Sequence, residues 1–294
     1  MTPRLSPLAL GTWRLLNDPV TATPAGALAL IRTALDAGID TIDTAEIYGG
    51  YGVEAVLGEA LRLDPGVKAK VRIVTKAGIY VPHASAPDRK VAHYNASAQQ
   101  LVASAETSLR KLGVERLELF LVHRPDWFTA HAETAEGLKQ LISSGKVATV
   151  GVSNYTTAQW DALSAFLGQA PATNQLQFSP FHLDPMFDGT IDRCQQAGVR
   201  PMAWSPTGGG RLFSGTDETS LRVRKCLESL AGKYGVGVDA LCHAWVMGHP
   251  SHPISVLGTN KAERVASAAK AMSVKLERED WFAIAEAARG SRIP

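Results

Sequence analysis

Four side chains able to move protons or hold charge stand at comparable places in the chain: Asp43, Tyr48, Lys76 and His123. Asp43 closes the run GIDTID, with Tyr48 five residues on; Lys76 closes VRIVTK; His123 follows LELFLV. An acid, a phenol, an amine and an imidazole delivered by separate segments suit one task, giving a proton to an oxygen on which negative charge develops, as when hydride adds to a carbonyl. A phenol with an ordinary pKa near about 10 is a mediocre donor at neutral pH, and an ammonium beside it would lower that value. A carboxylate paired with the ammonium would keep it in place and charged, while an imidazole could donate to the carbonyl and orient it. Singly, each has an ordinary reading: Asp43 as a turn cap, Tyr48 as a loop aromatic, Lys76 as a solvated charge, His123 as a hydrogen-bonded structural histidine. Specificity lies in the combination.

Such residues cooperate only if the elements carrying them end at one rim. Short β-rich runs recur at 8–12, 41–44, 71–75, 117–122, 147–152, 173–177, 199–204 and 254–257, each nearly continuously apolar, as a strand covered on both faces requires. Amphipathic stretches of helical length lie between them, at 25–37, 52–62, 98–112, 134–144, 158–167, 186–196, 218–234 and 261–271. Strand then helix, repeated eight times, predicts parallel strands joined by crossovers, hence a (β/α)8 TIM barrel formed as a single domain over residues 1–294. Two further helices are predicted, at 238–248 before strand eight and at 278–289 at the C-terminus. The pairs Ala37-Gly38, Leu112-Gly113 and Ala197-Gly198 end helices just before strands. A doubly wound open sheet is the alternative, but it calls for a Gly-x-Gly-x-x-Gly turn after the first strand, and that turn is missing. In a barrel the working groups sit at the C-terminal strand ends, where the four residues fall.

Composition narrows the partners. With 45% hydrophobic and 20% charged residues the chain can bury a large core, and 30 basic against 28 acidic residues leave a net charge of +2. That balance predicts no nucleic-acid stripe and no membrane anchor, and favours small, roughly neutral ligands. No leader-like start and no unbroken apolar run of about 18 residues appear, so the expected location is cytoplasmic. Cys194, Cys226 and Cys242 match neither a zinc site nor a disulfide framework and are expected to be buried thiols; no metal site is predicted. Nothing reads as an obligate interface, which leaves a monomer as the default.

The segments Gly38-Ile-Asp-Thr-Ile-Asp43-Thr-Ala-Glu-Ile-Tyr48-Gly, Thr75-Lys76 and Leu121-Val-His123-Arg-Pro resemble the aldo-keto reductase family, and the likeness runs through almost the whole chain. The segments 203–206 and 208–213 are most similar to a bacterial branch of NADP-dependent reductases in that family. The resemblance implies reduction of an aldehyde or ketone to an alcohol with NADPH (NADP+ as its oxidised form), Tyr48 acting as general acid within the set Asp43, Tyr48, Lys76 and His123. It also implies that Ser153, Asn154 and Gln175 hydrogen-bond the nicotinamide carboxamide and that Trp204 stacks on the ring, where the family more often has Tyr or Phe. Ser205, Pro206, Gly208, Gly209, Gly210 and Arg211 would approach the pyrophosphate, which backbone N–H groups of a glycine run can cradle. Gly258, Thr259 and Asn260 lead into a helix whose N-terminus favours an anion, and Arg264 would take the adenosine 2'-phosphate, which argues for NADPH over NADH. Two features depart from the family pattern: Gly258 stands where a lysine is frequent, and Ser267 and Ala268 stand where acidic and amide residues grip adenine. Lys261 is positioned to compensate.

Substrate choice in barrels belongs to loops, and Trp13, Tyr80, Trp127 and Phe128 read as exposed loop aromatics. Trp13 and Trp127 are expected to wall an apolar pocket, with the long loop 77–94 over the opening. The short segment after Arg289 implies an open pocket and broad, modest activity on aromatic or activated carbonyls. Two rivals frame this reading. A metal-dependent hydrolase on the same barrel would need converging ligands, yet no His-x-His marks the first strand. A cofactor-binding regulatory subunit of the same fold, with little turnover, would keep the fold while the site served a partner.

Overall fold

The structure, a computed structural model, describes residues 3–84 and 86–294. The strands are β1 (Leu8–Gly11), β2 (Thr41–Asp43), β3 (Arg72–Ala77), β4 (Leu117–Val122), β5 (Val147–Ser153), β6 (Asn174–Gln177), β7 (Met202–Trp204) and β8 (Ile254–Leu257). They pair in parallel, each with the next, and Ala9 of β1 lies opposite both Thr41 and Val256, which closes the barrel. The expected TIM barrel is therefore present. β7 starts three residues later than the run 199–204 suggests, directly after Pro201, which has no N–H to give the ladder.

The helices are α1 (Pro24–Asp36), α2 (Val53–Leu63), α3 (Ala98–Leu112), α4 (His131–Ser143), α5 (Thr157–Leu167), α6 (Thr190–Gln196), α7 (Glu218–Tyr234), α8 (Val238–Met247), α9 (Ala262–Ala269) and α10 (Arg278–Arg289). Their ends follow local chemistry. Thr23 accepts from Gly26 N ahead of α1, Thr156 and Gln159 form a capping box on α5, and Gly38 (φ 80°) and Gly113 (φ 67°) adopt the left-handed turn after α1 and α3. The two additional helices form as expected. α10 docks on α8 through Trp245 and Trp281, whose rings stack at 4.9 Å while each indole N–H donates to the other's backbone carbonyl.

Side chains alternate across a strand, so the barrel interior follows from the register. Ala9, Val74, Leu119, Leu121, Met202, Ile254 and Val256 fill it as one buried cluster. Two residues beyond Val74 comes Lys76 and two beyond Leu121 comes His123, so the inward face turns polar at the C-terminal rim. The opposite faces of β2 to β5 pack into a larger core under α1 to α5, and β6 and β7 share a second core with α7, α8 and α10.

Within the loop 77–94, Ile79–Tyr80 pairs antiparallel with His93–Tyr94, while Ser85 lies outside the described residues. Tyr80 is not an exposed aromatic but 3% exposed, because its hydroxyl bonds Ser104 Oγ at 3.0 Å and its ring stacks on His93. Cys194 and Cys242 are buried, whereas Cys226 is only half-buried on α7. No helix among the described residues is long and apolar enough to cross a membrane.

Candidate active site

At the rim, Lys76 Nζ donates to Asp43 Oδ2 at 2.8 Å, to the Thr44 carbonyl at 2.8 Å and to Tyr48 Oη at 3.2 Å, with 0% of the lysine exposed. Asp43 Oδ1 accepts from Gln175 Nε2 at 2.7 Å, so both carboxylate oxygens are engaged. Tyr48 stands just before a left-handed turn, Gly49, Gly50 and Tyr51 at φ 55°, 61° and 70°, and at the rim Trp13 meets its ring edge-on at 4.9 Å and His123 at 5.9 Å.

Burial dominates the electrostatics of this group. It raises the Tyr48 hydroxyl above its usual range, and the nearby Lys76 ammonium offsets only part of that rise. The expected lowering of the phenol is thus corrected: before any ligand arrives Tyr48 is firmly protonated, a state suited to giving a proton rather than taking one. Burial pulls Lys76 down, but the Asp43 charge and the Tyr48 contact outweigh it, and the ammonium is held above its ordinary value. Burial, Lys76 and Arg124 together drive His123 well below its ordinary value, so its imidazole is neutral at pH 7.

Asp43, Tyr48 and His123 face a cavity whose far wall comes from the second half of the barrel: Ser153, Asn154, Gln175, Trp204, Ser205, Pro206, Thr207, Gly209 and Gly258. Ser153 donates to the Gln175 carbonyl, Asn154 Nδ2 donates to Ser153 Oγ at 2.7 Å, and Trp204 Nε1 donates to Asn154 Oδ1 at 3.1 Å. That chain of bonds fixes the indole and holds Asn154 in the left-handed region at φ 59°, which asparagine tolerates better than other non-glycine residues; Ser205 shares it at φ 53°. A narrower cleft adjoins, sharing Arg14, Thr207, Leu257 and Gly258 with the cavity and running to Gly210, Phe213, Thr259, Arg264 and Ala268. Arg264 lies over the Phe213 ring at 5.1 Å.

A sequence profile of the aldo/keto reductase family matches residues 7–289. The chain belongs to the aldo/keto reductase family. It is 40% identical to the 6-dehydroglucose reductase of Novosphingobium aromaticivorans, over 99% of this chain and 94% of that one. It is also 40% identical to oxidoreductase YdhF of Escherichia coli K12, over 99% and 96%. Among solved structures, an aldo/keto reductase from Klebsiella pneumoniae in complex with NADP and acetate superposes with a TM-score of 0.78 at 29% identity, over 99% of this chain and 93% of that one.

In this aldo/keto reductase several expected site residues lie away from the two clefts. Trp127 is 85% exposed and packs edge-on against Tyr94, outside the cavity lining that includes Trp13. Arg211 is taken by Asp217 at 2.6 Å and lies over the Phe181 ring, and Gly208 backs onto Phe181. Asn260 donates to the Arg14 carbonyl and Thr21 Oγ1, bracing the loop after β1. No described residue of the loop 77–94 lines the cavity; Arg89 of that loop instead bonds Tyr51 Oη at 2.7 Å and supports the turn after Tyr48. Sequence reasoning missed Gly11, Arg14 and Arg124 in the lining. Gly11 is legible in retrospect, since a Cβ there would lie 2.3 Å from the Leu257 carbonyl oxygen.

Behind β3, on the face opposite Lys76, Thr75 donates to Glu54 Oε1 at 2.7 Å and Ser108 donates to Glu54 Oε2 at 3.1 Å, while Ser104 donates to Glu46 Oε1. Burial pushes Glu46 up to about 7 from an ordinary 4.5. An acid raised in the fold contributes stability that is fully present below about 4.5 and lost as pH climbs through about 7. Glu46→Gln is therefore expected to gain roughly 3 kcal/mol over the parent at alkaline pH. Urea midpoints of both proteins at pH 4.5 and 8.5 check it, and a difference independent of pH would refute the burial account.

Proposed function

We propose that this chain reduces an aldehyde or ketone to an alcohol with NADPH, Tyr48 giving the proton. The reading rests on one observation above the others: a buried ammonium, Lys76, bonded at once to Asp43 and to the Tyr48 hydroxyl inside an open cavity. The NADP complex of the Klebsiella pneumoniae relative and the reductase name of the Novosphingobium relative support it.

The residues present fit such a cofactor. Ser153, Asn154 and Gln175 would hold the carboxamide and Trp204, fixed through its N–H, would lie against the ring; Gly209, Gly258 and the backbone from Ser205 to Thr207 border a path to Arg264, whose guanidinium makes no ion pair among the described residues. When bound, NADPH supplies the hydride. Tyr48 Oη then donates its proton to the carbonyl oxygen as charge grows there, and the phenolate left behind is stabilised by Lys76 at 3.2 Å. Asp43, held by Gln175, keeps that ammonium charged and in line. Neutral His123 donates one ring N–H to the same oxygen and sets the angle of the carbonyl.

Loss of absorbance at about 340 nm with a panel of carbonyl compounds tests turnover. NADPH run beside NADH, with Arg264→Ala, tests the phosphate site: the KM for NADPH is expected to rise about 10- to 100-fold with NADH nearly unchanged. Equal loss for both cofactors would show that the 2'-phosphate lies elsewhere. Cofactor binding without reduction of any carbonyl would favour the regulatory-subunit reading instead.

A further inference from the structure

The charges lining the cavity do not balance. Asp43, Arg14 and Arg124 face it; Asp43 is neutralised by Lys76, and Arg14 donates to the Gly258 and Gly209 carbonyls on the side toward the narrow cleft. Arg124, half-buried beside His123, makes no hydrogen bond and no ion pair among the described residues. Its nearest acid in sequence is committed elsewhere: Asp126 accepts from Ala96 N at 2.9 Å, Phe128 N at 2.9 Å and Thr129 Oγ1. Those bonds tie the loop to the start of α3, and Pro125 restricts the Arg124 backbone to extended conformations, so the guanidinium is presented by a braced segment. Its charge is felt at both Tyr48 and His123, which it pulls downward in pKa.

A guanidinium that lines a partly enclosed cavity with no partner among the described residues is matched by a planar oxyanion, which it can hold through two parallel N–H bonds. Resting on the carbonyl-reduction reading, we propose that Arg124 is a specificity-determining residue, and that the preferred substrates are aldehydes or ketones bearing a carboxylate or similar oxyanion within a few bonds of the carbonyl. The net charge of +2 hides this, because the local balance in the cavity differs from that of the whole chain.

Matched pairs test it: 4-carboxybenzaldehyde against 4-carbamoylbenzaldehyde, and 4-formylbenzenesulfonate against its sulfonamide, with wild type and Arg124→Gln. The expected result is a kcat/KM about 10- to 100-fold higher for the charged member of at least one pair in wild type, with the ratio collapsing toward one in the variant because the charged member loses far more than the neutral one. The carboxylate and sulfonate arms identify the oxyanion. Absence of any charge preference in wild type overturns the proposal. So does an equal fall for both members of a pair with a displaced pH profile, since Arg124 would then act on Tyr48 alone. A second readout does not depend on turnover: quenching of tryptophan fluorescence by 4-carboxybenzyl alcohol and by its amide, Trp13 and Trp204 both lining the cavity. If no aldehyde is reduced yet the charged alcohol binds more tightly to wild type than to Arg124→Gln, carbonyl reduction fails and the anion subsite stands; no difference in binding either removes both.

Discussion

Tyr48→Phe is expected to lower kcat by about 10²- to 10⁴-fold, the usual contribution of a positioned proton donor, with cofactor binding unchanged. The substitution removes one oxygen, the atom 3.2 Å from Lys76 Nζ, and keeps the ring that packs edge-on against Trp13 and His123. Because burial holds the hydroxyl protonated, the loss should persist across neutral pH instead of vanishing toward the alkaline side. Steady-state rates with a fixed aldehyde, together with fluorescence titration of NADPH, separate chemistry from binding. A kcat within threefold of wild type would remove Tyr48 from the proposed proton path.

Lys76→Met carries a second large effect, on the fold as well as on turnover. The lysine is 0% exposed and its removal leaves Asp43, itself 2% exposed, with the Gln175 amide as its remaining side-chain hydrogen-bond partner. Breaking a buried pair from one side typically costs about 3–5 kcal/mol, because the remaining charge has lost both water and its counter-ion. Urea denaturation should register that loss, and turnover should fall at least as far as in Tyr48→Phe. Replacing the partner as well, in Asp43→Leu with Lys76→Met, should restore most of the stability and none of the activity. A single variant as stable as wild type would show that Asp43 is easily neutralised, and the electrostatic account of the site would have to be abandoned.

The parts of this molecule that sequence made legible are those governed by periodicity. The apolar run from Leu117 to Val122 is β4 residue for residue, and the inward alternation that buries Leu119 and Leu121 also delivers His123 to the rim. Asp43 and Lys76 were readable for the same reason: strand pleat states the face, and strand end states the height. Loops carry no such rule. Trp127 and Trp13 look alike in sequence, yet Trp127 rests outside against Tyr94 while Trp13 enters the cavity. Arg211 looked available for a phosphate until Asp217, six residues on, was seen to hold it. The sign of the Tyr48 shift was misread because neighbouring charges are visible in a motif and burial is not. Arg14 and Arg124 were passed over because what distinguishes them, a bond across the barrel mouth and the lack of any bond, is set by residues distant in the chain.

Asp43, Lys76 and His123 arise at the ends of β2, β3 and β4, whereas Ser153, Gln175 and Trp204 belong to β5, β6 and β7. Trp13 stands on the connecting segment after β1, apart from both groups, whereas Arg124 follows His123 directly on the segment after β4. The loop after β1 can therefore vary without displacing a residue of either group, whereas any change in the loop after β4 also disturbs the imidazole with which that loop begins.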